Sequence, residues 1–257
     1  MKGVSDLMRT IPVLYPDDQI TKARKHLRDD SFREVFIRNR DGSLAGYVDV
    51  SHVILVNETK SNLEITSFLR DAPVVQSGDS IEAVLLQIRD AQIDSAAVCS
   101  PSGELIGAVQ LAALFPVVMS RQQPQGLVED YMTREVVTCR PDDPLHAVHT
   151  LITESGYDAL PVEEGNRILG MISRTDLIAR GHIRRSIEEN HRTPVEYIMV
   201  TPAIITYKNN TIGDAAQAMI QYDVSRLPVI EQDGQIVGII TRQDILKALK
   251  LPGVVHA

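Results

Sequence analysis

Four stretches of this chain end alike, and that repetition constrains the fold more than any other feature. They read Leu44-Ala-Gly-Tyr-Val-Asp-Val-Ser-His52, Leu105-Ile-Gly-Ala-Val-Gln-Leu-Ala-Ala113, Leu169-Gly-Met-Ile-Ser-Arg-Thr-Asp176 and Val237-Gly-Ile-Ile-Thr-Arg-Gln-Asp244. Their glycines, Gly46, Gly107, Gly170 and Gly238, are spaced by 61, 63 and 68 residues. Self-similarity at a near-constant period marks tandem units of one fold.

Each glycine is preceded at similar offsets by the same features. Polar turns, Pro16-Asp-Asp, Ser77-Gly-Asp, Pro141-Asp-Asp and Lys208-Asn-Asn, open a helix. Apolar residues follow at helical spacing: Ile81, Val84, Leu85 and Ile88 in the second unit, and Ile212, Ala215, Ala216, Met219 and Ile220 in the fourth. Short strands come next, at Val35-Phe-Ile, Ala97-Val-Cys, Leu160-Pro-Val and Leu227-Pro-Val. The turns Asp41-Gly, Ser102-Gly, Glu164-Gly and Asp233-Gly then signal hairpins. The repeated glycine lies on the second hairpin strand, and another helix begins directly after it.

Each unit is thus strand, helix, strand, strand, helix, with one sheet face covered by helices. Alone it leaves apolar surface exposed, so units should pair. The expected fold is α/β (α+β), with units 1–58, 59–120, 127–190 and 191–252 paired into modules 1–120 and 127–252. The link Ser120-Arg-Gln-Gln-Pro-Gln-Gly126 is polar and carries Pro and Gly, as a boundary should.

Composition removes several functions. The net charge is −8, there is no Trp, and aromatics make up 4% of residues, which argues against a nucleic-acid partner. The longest apolar run, 111–119, falls short of the roughly 20 residues of a membrane span. Residues 1–10 lack the apolar core of a signal peptide, and Cys99 and Cys139 make no disulfide framework. A soluble, cytoplasmic chain with no membrane partner is expected.

The pattern resembles the cystathionine-β-synthase (CBS) domain family, with four copies in one chain. The resemblance is carried by Gly-x-Ile-Ser/Thr-x-x-Asp at 170–176 and 238–244, by Leu-Pro-Val at 160–162 and 227–229, and by the openings Tyr131-Met-Thr133 and Ile198-Met-Val-Thr-Pro202. It implies a regulatory, non-enzymatic protein built from two CBS pairs, or Bateman modules. Such pairs bind adenosine-containing ligands: AMP, ADP, ATP, S-adenosylmethionine or methylthioadenosine. The layout is similar to the γ subunit of AMP-activated protein kinase and to archaeal stand-alone CBS proteins. No obligatory cofactor is implied.

The chemistry falls on the second module. Ser173, Arg174 and Asp176, and Thr241, Arg242 and Asp244, lie where a strand passes into a helix. The hydroxyl and the first free N–H groups there suit a phosphate, Arg is a fork-shaped phosphate donor, and the Asp can accept from both ribose hydroxyls. The competing reading is structural, because Ser/Thr-x-x-Asp is close to a capping box. Units one and two place Asp49-Val-Ser-His52 and Gln110-Leu-Ala-Ala113 at the same junction, without the motif. Ser225, Arg226, Leu227 and Pro228 resemble a His-Arg-Leu-Pro stretch of the γ subunit whose Arg contacts phosphate. The third unit has Tyr157, Asp158 and Ala159 there, and an inward Asp158 would repel a phosphate, pointing to unequal sites or a less negative ligand. By the resemblance, Thr133, Val136, Val137, Ala203, Ile204 and Ile205 line the adenine slot; as plain residues they also fit core strands.

Other features are less specific. In the first module Asp49 and His52 replace the hydroxyl and the Asp, which favours a structural or partner-binding role. The stretch Lys22–Arg40 holds seven Lys/Arg against three acids, as a solvated helix face or an acidic-partner contact. His146 and His149 lie three apart but lack a third metal ligand, and no nucleophile elbow or Walker loop appears. The expected function is a sensor binding its ligand between units three and four and signalling to an unknown regulated protein, with a homodimer possible. The alternative is an interaction scaffold without a small-molecule ligand.

Overall fold

The computed structural model describes residues 3–28, 32–56, 62–179 and 192–251. A short helix, α1 (Val4–Leu7), leads into unit one: α2 (Ile20–Leu27), the hairpin β1 (Glu34–Arg38) and β2 (Leu44–Asp49), and α3 (Val50–Val53). Unit two is β3 (Val74–Gln76), α4 (Ile81–Ala91), β4 (Ser95–Cys99), β5 (Leu105–Gln110) and α5 (Leu111–Arg121). Unit three opens with α6 (Val128–Tyr131) and continues with α7 (Leu145–Ser155), β6 (Ala159–Glu164), β7 (Arg167–Ser173) and α8 (Arg174–Ala179). Unit four is β8 (Thr206–Tyr207), α9 (Ile212–Gln221), β9 (Arg226–Ile230), β10 (Ile236–Thr241) and α10 (Arg242–Lys247).

The polar turns start helices as their chemistry demands. Ser80 Oγ accepts from the Ala83 amide at 3.2 Å, and Thr211 closes a capping box with Asp214. The apolar faces of α4 and α9 are buried through Ile81, Val84, Leu85 and Ile88, and through Ile212, Ala215, Ala216 and Met219. Units two and four form the expected three-stranded sheets, in the orders β3-β4-β5 and β10-β9-β8. Units one and three depart from expectation, with two-stranded sheets among the described residues. In unit three the missing strand is one bridge, the Cys139 amide to Pro161 O at 3.0 Å and the Glu163 amide to Cys139 O at 2.9 Å. Pro141 follows two residues later, and Pro12 and Pro16 flank the matching segment of unit one. Each lacks the N–H that would extend a ladder.

The units of a module exchange their lead-in segments. In unit one, Tyr47 pairs in both directions with Arg70 from the lead-in of unit two, with N–H···O distances of 2.9 and 3.0 Å. In unit two, Ala108 pairs in the same way with Arg9 from the lead-in of unit one. Met171 with Val200, and Ile239 with Thr133, repeat the arrangement in the second module.

This exchange accounts for the repeated glycines, each of which immediately precedes the exchanged pair. A Cβ on Gly46 would lie 2.6 Å from Arg70 O, and one on Gly170 would lie 2.5 Å from Val200 O. On Gly107 and Gly238 it would strike Met8 and Met132 at 2.6 and 2.5 Å. Gly46 has a positive φ of 145°, but Gly107, Gly170 and Gly238 do not. Close approach of the crossing chain is therefore the common demand.

The modules pack so that unit one meets unit three and unit two meets unit four. One continuous core joins Ile20, Leu27 and Val53 to Leu145, Leu160 and Ile172. Another joins Leu85, Leu114 and Phe115 to Met219, Ile240 and Ile245. Gly170→Ala should lower stability by about 1–3 kcal/mol through overpacking against an immovable carbonyl. Gly78→Ala, with open space around its Cβ position, should stay within about 0.5 kcal/mol of wild type. Urea denaturation compares them, and equal midpoint shifts would contradict the close-approach account.

Candidate ligand-binding site

The exchange makes the site composite. Pairing Thr133 with Ile239 carries 133–137 to the start of α10, so the segment opening unit three faces the Thr-x-x-Asp of unit four. There a cavity of about 460 Å³ is lined by Thr133, Val136, Val137, Tyr157, Ala159, Arg174, Ser225, Arg226, Thr241, Arg242 and Asp244. Pairing Val200 with Met171 carries 200–204 to the start of α8. A second cavity of about 800 Å³ there is lined by Ser173, Asp176, Ala203 and Ile204. It shares Ala159, Ser225, Arg226 and Arg242 with the first. Both volumes suit a small-molecule ligand.

Three of the anticipated residues lie outside both linings. Leu227 is fully buried, on the opposite strand face from Arg226. Pro228 is buried in β9 opposite Ile239, and Ile205 is half-buried beside β8. Alternation along β9 accounts for Leu227, which points to the core opposite Arg226.

The first module also contributes walls. Arg33, Glu34, Asp49, Gln92 and Asp94 line the first cavity, and Arg9, Gln110 and Leu111 line the second. No motif announces them; packing between modules delivers them. Gln243 Nε2 donates to Ile93 O at 2.6 Å, and Arg33 Nη2 donates to Ser225 Oγ at 3.2 Å, tying the modules together at the cavities.

Both Ser/Thr-x-x-Asp motifs form capping boxes. Asp244 Oδ2 accepts from the Thr241 amide at 3.0 Å and from Thr241 Oγ1 at 2.7 Å, and the Asp244 amide donates back to Thr241 Oγ1 at 3.2 Å. Ser173 and Asp176 make the same three bonds at 2.7, 2.6 and 3.2 Å. Unit one makes the same box with other residues: Asp49 Oδ1 accepts from the His52 amide and His52 Nδ1 accepts from the Asp49 amide, so the carboxylate sits at the N-cap. Helix α5 of unit two begins at Gln110 with no side-chain cap. Capping and ligand contact are compatible, because a carboxylate offers about four acceptor positions. The box occupies Oδ2 of Asp244, while Oδ1 takes one bond from Lys247 Nζ at 2.7 Å.

An ionic cluster lies where the two cavities meet. Asp158 reaches Arg174 Nη1 at 3.1 Å with one oxygen and Arg226 Nη2 at 3.6 Å with the other. Burial draws the Arg226 guanidinium below its ordinary pKa, and Asp158 opposes that pull. Arg242 turns toward unit two, with Nη2 3.2 Å from Asp223 and its guanidinium 5.7 Å from the centre of the Phe115 ring. The basic stretch is largely spent in pairs: Lys22 with Asp18, Arg33 with Asp94 and Arg40 with Asp17, while Arg24 is buried and donates to Val53 O. His149 Nε2 donates to Ile54 O at 3.2 Å. Among the described residues no three His, Cys, Asp or Glu are grouped to hold a metal ion. Cys99 and Cys139 are buried and free.

Glu34 occupies in unit one the strand-start place of Arg226 in unit four, since Glu34 faces Asp49 and Arg226 faces Thr241. Its carboxyl accepts from the Asp94 amide at 3.0 Å and from Ser95 Oγ. Burial, with the nearby Asp94 charge, pushes its pKa up from 4.5 to about 8. Between those values the folded chain holds a proton that the unfolded chain has released, so this group makes stability fall as pH rises. Glu34→Gln should flatten the decline in melting temperature between pH 5 and 8. Parallel curves for variant and wild type would refute the buried neutral acid.

The CBS domain profile matches residues 4–57, 128–182 and 195–251. A solved Methanocaldococcus jannaschii protein, described as a proposed archaeal homologue of the γ subunit of AMP-activated protein kinase, superposes with a TM-score of 0.79 at 20% identity. The match covers 96% of this chain and 99% of that one. A conserved Pyrococcus horikoshii protein gives a TM-score of 0.64 at 24% identity, with the same coverage. Curated relatives include two uncharacterised M. jannaschii proteins. One is 26% identical over 163 residues, 60% of this chain and 58% of the relative, and the other 22% identical over 258 residues, 95% and 61%. The chain spans about three-fifths of their length. Two solved CBS pairs, each aligning with 48% of this chain at a TM-score of 0.41, hold AMP in one and methylthioadenosine with S-adenosylmethionine in the other. With the profile spanning three of the four repeats and more than half of the residues, the chain belongs to the CBS domain family.

Proposed function

We propose that this protein is a regulatory module that binds an adenosine-containing ligand between units three and four and passes the change to a partner protein. CBS domains are typically non-catalytic and regulatory, which sets the class. One observation carries the reading: each Ser/Thr-x-x-Asp helix start opens onto a cavity whose other wall is the exchanged lead-in segment. Asp244 is then the ribose acceptor, Val136 and Val137 flank the base, and the α10 N-terminus faces the polar end of the ligand. Asp176, Ala203 and Ile204 play the same parts in the second cavity. Ligand contacts to both units, and to Arg33 and Asp94 of the first module, favour the packed arrangement, and linkage transmits that preference. The capping boxes favour a second reading, a scaffold whose motifs serve only the helix starts.

A thermal-shift panel of AMP, ADP, ATP, S-adenosylmethionine, methylthioadenosine and GTP on the full chain tests this. At a hundred times Kd, a ligand binding only the folded state adds about 2.7 kcal/mol. At least one adenosine compound should raise the melting temperature, and Asp176→Asn/Asp244→Asn should abolish the shift while retaining an acceptor oxygen for each cap. A flat panel with well-folded protein would transfer the function to the scaffold reading.

A further inference from the structure

We infer that the cavity at Thr241 and Asp244 is built for an adenosine ligand that carries no phosphate, and that Asp158 enforces this choice. The inference rests on the adenosine reading above and narrows it by charge.

Every Lys or Arg among the described residues of this lining is already paired with a carboxylate of the protein. Arg33 is held by Asp94 at 3.6 Å, Arg242 by Asp223 at 3.2 Å and Lys247 by Asp244 at 2.7 Å. Arg174 and Arg226 share Asp158. These two guanidiniums have side chains only 12% and 16% exposed, whereas that of Asp158 is 61% exposed. The acid therefore faces the cavity and covers both. Its backbone is fixed, because Asp158 O accepts from the Arg174 amide at 2.9 Å, so only the carboxylate can turn aside. A phosphate reaching Arg174 or Arg226 must displace that carboxylate and then lie beside it, like charge against like in a partly desolvated space. Glu135 and Asp49 add further acids to the lining. A thioether adenosine breaks no pair, and a sulfonium adds a cation to a lining well supplied with carboxylates. The strand-start partner of Asp158 in unit four is Ser225, whose carbonyl accepts from the Arg242 amide as Asp158 O does from Arg174. Unit two has an acid at the same place, Asp94, whose carbonyl accepts from the Leu111 amide at 2.7 Å, but no arginine opens its helix, so what is particular to the third unit is the acid set against an arginine.

Titration calorimetry of the full chain with AMP and with methylthioadenosine decides it. Wild type should bind methylthioadenosine at least about tenfold more tightly than AMP. Asp158→Asn, which keeps the shape but removes the charge that competes for the two guanidiniums, should tighten AMP at least about tenfold and change methylthioadenosine by less than about threefold. AMP binding wild type as tightly as methylthioadenosine overturns the inference without any variant, as does an unchanged ratio in Asp158→Asn. If neither compound binds either protein, the adenosine reading fails, and pyrophosphate tests Asp158 alone. Greater thermal stabilisation of Asp158→Asn than of wild type by pyrophosphate supports the covering role, and equal stabilisation ends it.

Discussion

Everything in this molecule depends on the reciprocal crossing of the lead-in segments. Two short antiparallel contacts in each module, Arg9 with Ala108 and Arg70 with Tyr47 in the first, Thr133 with Ile239 and Val200 with Met171 in the second, bind each unit to its partner through backbone hydrogen bonds. These groups would otherwise be exposed strand edges. A backbone can approach this closely only where the facing strand has no side chain in the way, and the four repeated glycines provide that gap. The same crossing carries Thr133, Val136 and Val137 away from their own unit and onto the helix start of the next. The packing device and the construction of the cavity are one feature.

The sequence made the units legible because their periodicities are strong. Helical spacing placed Ile81, Val84, Leu85 and Ile88 on one buried face, and the turns between apolar runs marked the hairpins correctly. The first strand of units one and three was over-read. Pro12, Pro16 and Pro141 reduce it to isolated contacts, an effect that apolar alternation does not register. The walls supplied by Arg33, Glu34, Asp94 and Gln110 were not legible at all. They come from packing one module on another, a relation between residues of different modules with no local signature. Leu227 shows what a contiguous motif hides: a strand turns neighbouring side chains to opposite faces, so Leu227 lies in the core while Arg226 lines the cavities.

The two readings of Ser/Thr-x-x-Asp turn out to be simultaneous. A cap contributes about 1 kcal/mol, and unit two forms α5 without one, so the junction tolerates its loss. Unit one achieves the same cap with Asp49 in the place of the hydroxyl and His52 in the place of the Asp. A residue pair can therefore close a helix start and present its remaining acceptor positions to a cavity. What separates the second module from the first is what surrounds the cap. Around Asp244 lie the two valines and the guanidiniums, while behind Asp49 lies Glu34, buried and hydrogen-bonded to unit two.

Charge decides what such a cavity can accept. A buried guanidinium cannot be left without a partner, because removing it from water costs several kcal/mol and it does not deprotonate. A protein that holds Arg174 and Arg226 under cover before any ligand arrives must supply an anion of its own, and Asp158 is that anion. The pair is stable for the reason that makes it restrictive: the carboxylate that satisfies the guanidiniums in the folded chain is also the competitor any phosphate would face. Electrostatic satisfaction of the fold and the proposed selectivity of the site then rest on a single side chain. The proposed restriction lies in unit three because, among the described residues, only there does an acid just before the strand meet an arginine at the following helix start, with a second arginine, from unit four, within reach of the same carboxylate.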